Sequence, residues 1–466
     1  MDKRLRDLTY AFSANFLNFL MGFVTGFIIP KFLGIDDYAY LKVFTFYVTY
    51  VGVAHLGFLD GIYVKYGAYD YDDLPRKKFR GYVRFLIVFQ VIEALALVLL
   101  AFLLIRNENR LNIVLFTIFN MIILNITNLW MFIHQITKRF KLFSINTILT
   151  KLLYVIGCVL LILNGVRGYK GYVILQTIIN IIILFIYIYY NKELVFGKAE
   201  STKETFKEAK ELIGIGFFVM IGNFMSVIIL GIDRIFVDRL FTIKDFAIYS
   251  FAYTLISLFY ILLNSLTMVI YPYLRRAKED TYKSVYETIR ISITMLMSVT
   301  LCGYFVIKFI VSSFLPQYTE SFAILIFLVP TVIYSAQINI LIANYYKIMQ
   351  KTKEYTINNI MALFLSIITN IIAYFIYKDI ASIAIATLVS FVLWLIYSDL
   401  YFKKIIKVRV GRAYILDLSI LAIFFFSAYF FKWYNGLVIY IVLLILLLTI
   451  NNRKDVKKII NMVKKR

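Results

Sequence analysis

Apolar runs long enough to cross a bilayer follow one another almost end to end, and the polar residues collect in the gaps between them. A spanning helix needs about 20 mostly apolar residues. Such stretches lie near 8–30, 38–63, 82–105, 111–135, 142–164, 171–190, 212–238, 246–273, 287–314, 320–346, 356–377, 380–402, 413–432 and 436–451. The pattern predicts an all-α, polytopic membrane protein with 14 transmembrane helices. When these are threaded in order, one set of alternating gaps holds 36 of the 50 Lys and Arg, and the other holds ten. Cytoplasmic loops retain the basic residues, so both ends of the chain are expected inside the plasma (inner) membrane, as an even number of spans requires.

Composition agrees: 62% hydrophobic residues and a mean hydropathy of +0.81 exclude an ordinary soluble domain. The net charge of +23 resembles that of a nucleic-acid binder, but the basic residues sit in short juxtamembrane loops, where they set topology and meet anionic membrane lipids. Cys158 and Cys302 both fall inside apolar segments, so no disulfide framework or zinc site is expected. The basic start followed by an apolar run is too long for a signal peptide and has no small-residue cleavage site. It reads as a retained first span. No GxxxxGK[ST] loop, metal-ligand cluster or nucleophile motif occurs. The loops expected outside are short, about 5–11 residues, which leaves little room for the catalytic groups of a membrane glycosyltransferase or polymerase. No enzymatic activity is expected, and no cofactor apart from coupling to Na+ or H+.

The longest polar stretch, Asn191–Glu211, separates a first lobe (1–190, six helices) from a second (212–402, six helices). Helices 13 and 14 (403–452) and a basic tail (453–466) complete the chain. Ser201 and Glu204 have capping-box spacing, and Phe206, Ala209 and Ile213 then share one face. This predicts a short amphipathic helix on the membrane surface; a plain charged linker is the alternative. A shift of 208 residues superimposes Asn15-Phe16 on Asn223-Phe224, and Ile35, Asp37 and Ala39 on Ile243, Asp245 and Ala247. That makes five identities in 25 aligned positions, against roughly one or two by chance. Six helices per unit make the repeats parallel, an arrangement that places a substrate site between two lobes. In the tail, Val456, Ile459, Ile460 and Val463 form an apolar stripe among basic residues, which fits an interfacial helix or a solvated end.

An ionisable group within a span costs about 2.5–3.5 kcal/mol on insertion scales, so the few present point to a site. Glu93 lies near the middle of helix 3, Lys151 lies deep in helix 5, and Asp233-Arg234 stand side by side in helix 7. Helix 2 carries Lys42, His55 and Asp60, and helix 3 begins with Arg84. In helix 7, Gly216, Asn223 and Arg234 form one stripe, and Gly222, Ser226 and Asp233 the adjoining one. Helix 1 has a matching edge of Asn15, Asn18, Gly22 and Thr25, and helix 11 has Asn359, Ala362, Ser366 and Thr369 beside Asn370. Polar edges on the leading helix of both repeats would face a shared cavity. Structural roles compete with each: an interfacial pair for Asp233-Arg234, snorkelling for Lys42 and Arg84, and packing for His55. Pro330 predicts a kink in helix 10.

The opening FLNFLMGFVTGFIIPKFLGIDDYAYLKVF and the second-lobe start GNFMSVIILGIDRIFVDRLFTIKDFAIYSFAY, followed by Tyr271-Pro272-Tyr273-Leu274, resemble the polysaccharide (Wzx-type) flippases. These belong to the multidrug/oligosaccharidyl-lipid/polysaccharide (MOP) exporter superfamily. Asp233-Arg234 with Ala247-Ile248-Tyr249 is similar to that family's second-lobe pattern. The resemblance implies a two-lobed, MATE-like transporter moving an undecaprenyl-pyrophosphate-linked oligosaccharide to the outer leaflet by alternating access, driven by membrane potential or an ion gradient. Polysaccharide polymerases and other assembly proteins would be its partners. Lys42, Arg84, Lys151 and Arg234, with Asn15 and Asn223, would hold the pyrophosphate and sugars. Glu93, Asp233, His55, Asn370 and Thr387 would carry the coupling proton or cation. The extra helix pair is similar to the 14-helix subgroup that includes lipid II flippases, so a lipid II flippase or a multidrug exporter stays open. The basic excess within the spans disfavours the exporter.

Overall fold

A computed structural model describes residues 20–275 and 279–451, apart from the side chains of 226, 261–273, 275, 352 and 450–451. Asn15, Asn18 and the apolar stripe of the basic tail lie outside the described residues. The described residues are helical, with no strand. Two compact units result, Met1–Ile228 and Ile229–Arg466.

In the first unit, α1 (Leu20–Phe32), α2 (Ile35–Val48) and α3 (Phe58–Tyr66) precede four long helices. These are α4 (Arg76–Leu104), α5 (Glu108–Ile136), α6 (Phe140–Leu163) and α7 (Tyr169–Tyr190). Then comes α8 (Thr202–Ile229). The second unit holds α9 (Ile232–Leu240), α10 (Ile243–Arg275), α11 (Tyr282–Ser298), α12 (Cys302–Phe314), α13 (Phe322–Leu328) and α14 (Thr331–Ala336). It continues with α15 (Ala343–Ile348), α16 (Thr352–Tyr377), α17 (Ile380–Ile406), α18 (Gly411–Phe430) and α19 (Trp433–Leu446). Among the described residues nine helices are long and apolar enough to cross a membrane, or eleven if two bent pairs are counted as spans.

Burial identifies the centre of each unit. The most apolar windows of α5 and α17 are 56% buried, against 22% for α4 and 17% for α6. The first pair therefore packs on other helices over more than half of its apolar window, and the second turns most of its apolar surface outward, as lipid-facing helices do.

Several expected spans are interrupted. The run 38–63 is bent by 61° between His55 and Phe58, because Leu56 and Gly57 both take positive φ (48° and 83°). Gly57 adopts that conformation without strain. Pro330 marks a bend of 46° between Leu328 and Thr331, as its missing N–H predicts. The run 212–238 is not one helix: it breaks at Leu230-Gly231, so the expected continuous stripe from Gly216 to Arg234 ends at α8. In α1 the α-pattern gives way to a π-helix at Val24–Ile28, 208 residues before Ile232. Under the same shift, α1 and α9 end at Phe32 and Leu240, and α2 and α10 begin at Ile35 and Ile243.

The polar linker forms the capping box expected of it. Ser201 Oγ donates to Glu204 at 2.6 Å and accepts the Glu204 N–H at 3.3 Å. The helix it caps runs on without a break into α8, so the amphipathic segment is the first turns of a long helix. Close backbone approach seats α8 on α3. A Cβ built at Gly61 would lie 2.0 Å from the Leu212 carbonyl oxygen, and one at Gly216 would lie 2.0 Å from the Gly57 carbonyl oxygen.

Candidate functional sites

The first unit assembles a cavity of about 230 Å³ from α1, α5, α6 and α7, with Met21, Leu124, Met131 and Ile183 supplying apolar surface. Its polar lining includes Asn128, Asn146, Thr150, Lys151, Asn180 and Tyr187. Asn180 donates to Asn120 (2.8 Å) and accepts from Gln176 (3.1 Å), and Asn120 donates to Thr177 (2.8 Å). These bonds fix the Asn180 amide. Lys151 is thus one cation beside a few amides and hydroxyls in a lining that is otherwise apolar, groups that can meet an anionic, hydroxylated ligand.

Glu93 sits elsewhere in the same unit. It accepts from Gln90 Nε2 (2.7 Å), which also donates to the Ala54 carbonyl (3.0 Å). Asn125 donates to Gln90 Oε1 (2.7 Å) and to the Val51 carbonyl (3.1 Å). The network fastens α4 and α5 to the 3-10 turn Val51–His55, whose carbonyls face inward just before the bend. Across the bend, His55 Nε2 lies 3.8 Å from Asp60, and Asn223 Nδ2 approaches the other Asp60 oxygen at 3.5 Å. His55 and Asp60 are buried. His55 Nδ1 also accepts the Gly57 N–H at 3.1 Å, so the histidine holds the bend as well as facing Asp60.

The other expected cations are placed differently. Lys42 is half-buried, with its ammonium 5.2 Å from the Tyr38 ring centroid. Arg84 is exposed near the start of α4 and donates to the Gly197 carbonyl at 2.8 Å, away from the Lys151 cavity.

The second unit joins the two halves of the Asp-Arg and Ala-x-Tyr pattern. Asp233, in the first turn of α9, accepts from Tyr249 on α10 at 2.8 Å, from the Arg234 N–H at 2.7 Å and from Thr387 on α17 at 3.4 Å. The Arg234 guanidinium stacks 3.7 Å over Tyr253, a cation–π contact. Beside Asp233 is a cavity of about 10 Å³ bordered by Tyr253, Tyr260 and Thr387, the size of one water. Asn370 is buried but donates to the Ser366 carbonyl of its own helix, so Thr387 is the member of the expected trio that reaches Asp233. Along the polar edge of α16, Asn359, Ala362, Ser366 and Asn370 are buried and Thr369 is half-buried, and Ser398 of α17 donates to Asn358 beside that edge.

Sequence reasoning missed the most deeply buried charges. Arg290 on α11 is 0% exposed, 2.8 Å from Asp417 on α18 and 3.5 Å from Asp399 on α17. Tyr286 donates to Asp399 at 2.6 Å, and Thr294 to Asp417 at 2.9 Å. Gln337, at the start of a π-helix, donates to Thr294 at 2.7 Å. Arg290 stands at the border between a basic stretch and the apolar run 287–314. The signal that could have found it was the pair of carboxylates within the apolar runs 380–402 and 413–432.

The chain belongs to the polysaccharide biosynthesis protein family, whose model matches residues 5–278, more than half its length. The fold is that of membrane transporters of the MOP superfamily. It is similar to a solved structure described as the lipid II flippase MurJ in an inward closed conformation, with TM-score 0.66 and 14% identity, covering 94% of this chain and 98% of that one. An inward-facing multidrug resistance MATE transporter gives TM-score 0.64 at 11% identity over 87% of this chain and 96% of the other. A MOP superfamily transporter from Pyrococcus furiosus, described as having a binding pocket of reversed polarity, gives TM-score 0.50 at 10% identity over 88% and 94%. No curated protein sequence matches the chain.

Proposed function

We propose that the protein flips an undecaprenyl-pyrophosphate-linked oligosaccharide from the cytoplasmic to the outer leaflet of the plasma membrane for cell-surface polysaccharide synthesis. It works by alternating access, with both ends of its 14-helix chain in the cytoplasm. The observation that carries this reading is the cavity of the first unit that brings Lys151 together with Asn, Thr and Tyr side chains. Asn, Thr and Tyr side chains match sugar hydroxyls, and the ammonium matches a pyrophosphate oxygen. Asp233, with Tyr249 and Thr387, serves as the coupling site for H+ or Na+ in the second unit. The driving force is an ion gradient or the membrane potential, worth about 2.3 kcal/mol per charge per 100 mV. A polymerase and other assembly proteins would receive the product.

Likeness of fold to a lipid II flippase motivates a second reading, in which the lipid-linked cargo is a peptidoglycan precursor. Complementation separates the two. Wild type is expected to restore surface polysaccharide in a flippase-deficient capsule or O-antigen strain. Lys151→Ala, at equal membrane level, is expected to lower it about tenfold or more, the effect of one lost charge-assisted hydrogen bond. Rescue of a strain lacking its lipid II flippase, without rescue of polysaccharide, would favour the second reading. Drug resistance without either would overturn both.

A further inference from the structure

A second cavity of the first unit, a groove of about 370 Å³, lies outside both sites above. Gly81 lets α4 meet the first turn of α8, where a Cβ would lie 2.5 Å from Thr205 Oγ1. Beside this crossing the groove runs along α4 past Arg84, Val88, Phe89 and Ile92, with Phe206 and Glu200 opposite. Arg84 and Ile92 are eight residues apart, which is about 12 Å along a helix axis. Val88 (58% exposed), Ile92 (60%) and Phe206 (63%) open it to the surroundings of an apolar helix.

The two ends differ in chemistry. The Ile92 end is wholly apolar. At the other end Arg84 uses one N–H on the Gly197 carbonyl, and a guanidinium has five. Glu200 lines the same mouth, and its Oε2 is shielded from solvent with no hydrogen-bond partner among the described residues. The nearby Arg80 is tied to the Glu193 and Lys198 carbonyls, which holds the loop that carries Glu200. A purely anionic headgroup would meet Glu200 unfavourably. A hydrocarbon chain alone would leave the remaining N–H groups of Arg84 and the Glu200 Oε2 without hydrogen-bond partners, although Lys78 acts on Glu200 through its charge.

We propose that this groove binds a glycerophospholipid whose headgroup joins a phosphate to a primary ammonium. The phosphate meets Arg84, the ammonium donates to Glu200, and an acyl chain lies along Val88, Phe89 and Ile92. The proposal does not rest on the transport reading.

The full-length protein in detergent is offered equal amounts of phosphatidylethanolamine, phosphatidylcholine and phosphatidylglycerol with identical acyl chains, and retained lipid is measured by native mass spectrometry. Wild type is expected to retain phosphatidylethanolamine about tenfold over either competitor, the effect of one charge-assisted hydrogen bond. Phosphatidylcholine keeps the positive charge but has no N–H to donate. Glu200→Gln is expected to abolish the preference, and Val88→Trp, which fills the groove, to remove the retained lipid. Equal retention of the three lipids, or phosphatidylglycerol ahead, overturns the proposal. So does a preference that survives Glu200→Gln or Val88→Trp.

Discussion

Arg290→Met is expected to be among the most destabilising single substitutions in the chain. The guanidinium is the cation between Asp399 and Asp417, at the meeting point of α11, α17 and α18, and all three side chains are almost wholly shielded from solvent. Removing it leaves two carboxylates buried without their counter-charge. Breaking a buried ion pair from one side costs about 3–5 kcal/mol. The cost falls on the attachment of α18, because Asp417 is the charged group by which that helix holds α11. The aromatic contacts of Phe424 with Tyr304 and Phe305 remain to hold the other end. Thermal unfolding of the detergent-purified protein is expected to show a markedly lower midpoint and a loss of monodisperse protein. The triple variant Arg290→Met, Asp399→Asn, Asp417→Asn is expected to recover most of that loss, since removing a whole buried charge set can be close to neutral. A single variant as stable as wild type would show that the triad contributes nothing to the packing of α18.

Gly61→Val is expected to have the next largest effect. A Cβ at Gly61 would stand 2.0 Å from the Leu212 carbonyl oxygen, which belongs to helix backbone and cannot swing aside. The α3–α8 crossing must open, and overpacking a tight contact costs about 1–3 kcal/mol, with a branched side chain toward the upper end. Opening it also separates Asn223 from Asp60, whose contact is already long at 3.5 Å. Gly214 and Gly222 lie on the same helix with nothing within 4 Å of a built Cβ. Alanine at either is expected to be neutral or slightly stabilising, because it lowers the entropy of the unfolded chain. Unfolding midpoints that fall for Gly61→Val and stay level for Gly222→Ala check both halves of the argument. Equal midpoints for the two variants would contradict it.

Much of the architecture was legible from apolar run length. The expected runs are mostly helical where the residues are described, because a bilayer leaves a buried backbone few alternatives. Nine of the described helices, or eleven with the two bent pairs, are long and apolar enough to span, against the 14 expected. The interruptions were less legible. Pro330 announced its bend, but Leu56-Gly57 carried no comparable mark: one glycine in an apolar run predicts neither a left-handed turn nor a helix crossing. The break at Leu230-Gly231 was hidden for the same reason, and it ended a stripe that periodicity had carried through to Arg234. Among site residues, Asp233, Tyr249 and Thr387 converge, whereas Asn370 turns to its own helix, since a periodic edge fixes a face but not the partner it meets. Glu93 was marked by its cost, but Gln90 and Asn125, which hold it and its turn, looked like ordinary polar residues. Arg290 was masked by position: it lies three residues inside an apolar run, directly after a basic stretch.

The central claim, movement of a lipid-linked oligosaccharide across a bilayer, is tested most directly in proteoliposomes. The purified protein is reconstituted with undecaprenyl-pyrophosphate oligosaccharide, and the fraction reaching the opposite leaflet is read by a lectin or glycosidase that cannot enter the vesicle. Transfer is expected with wild type under an imposed ion gradient or membrane potential. It is expected to fall about tenfold or more with Lys151→Ala and to lose its dependence on the gradient with Asp233→Asn. No transfer above protein-free vesicles under either driving force would contradict the account.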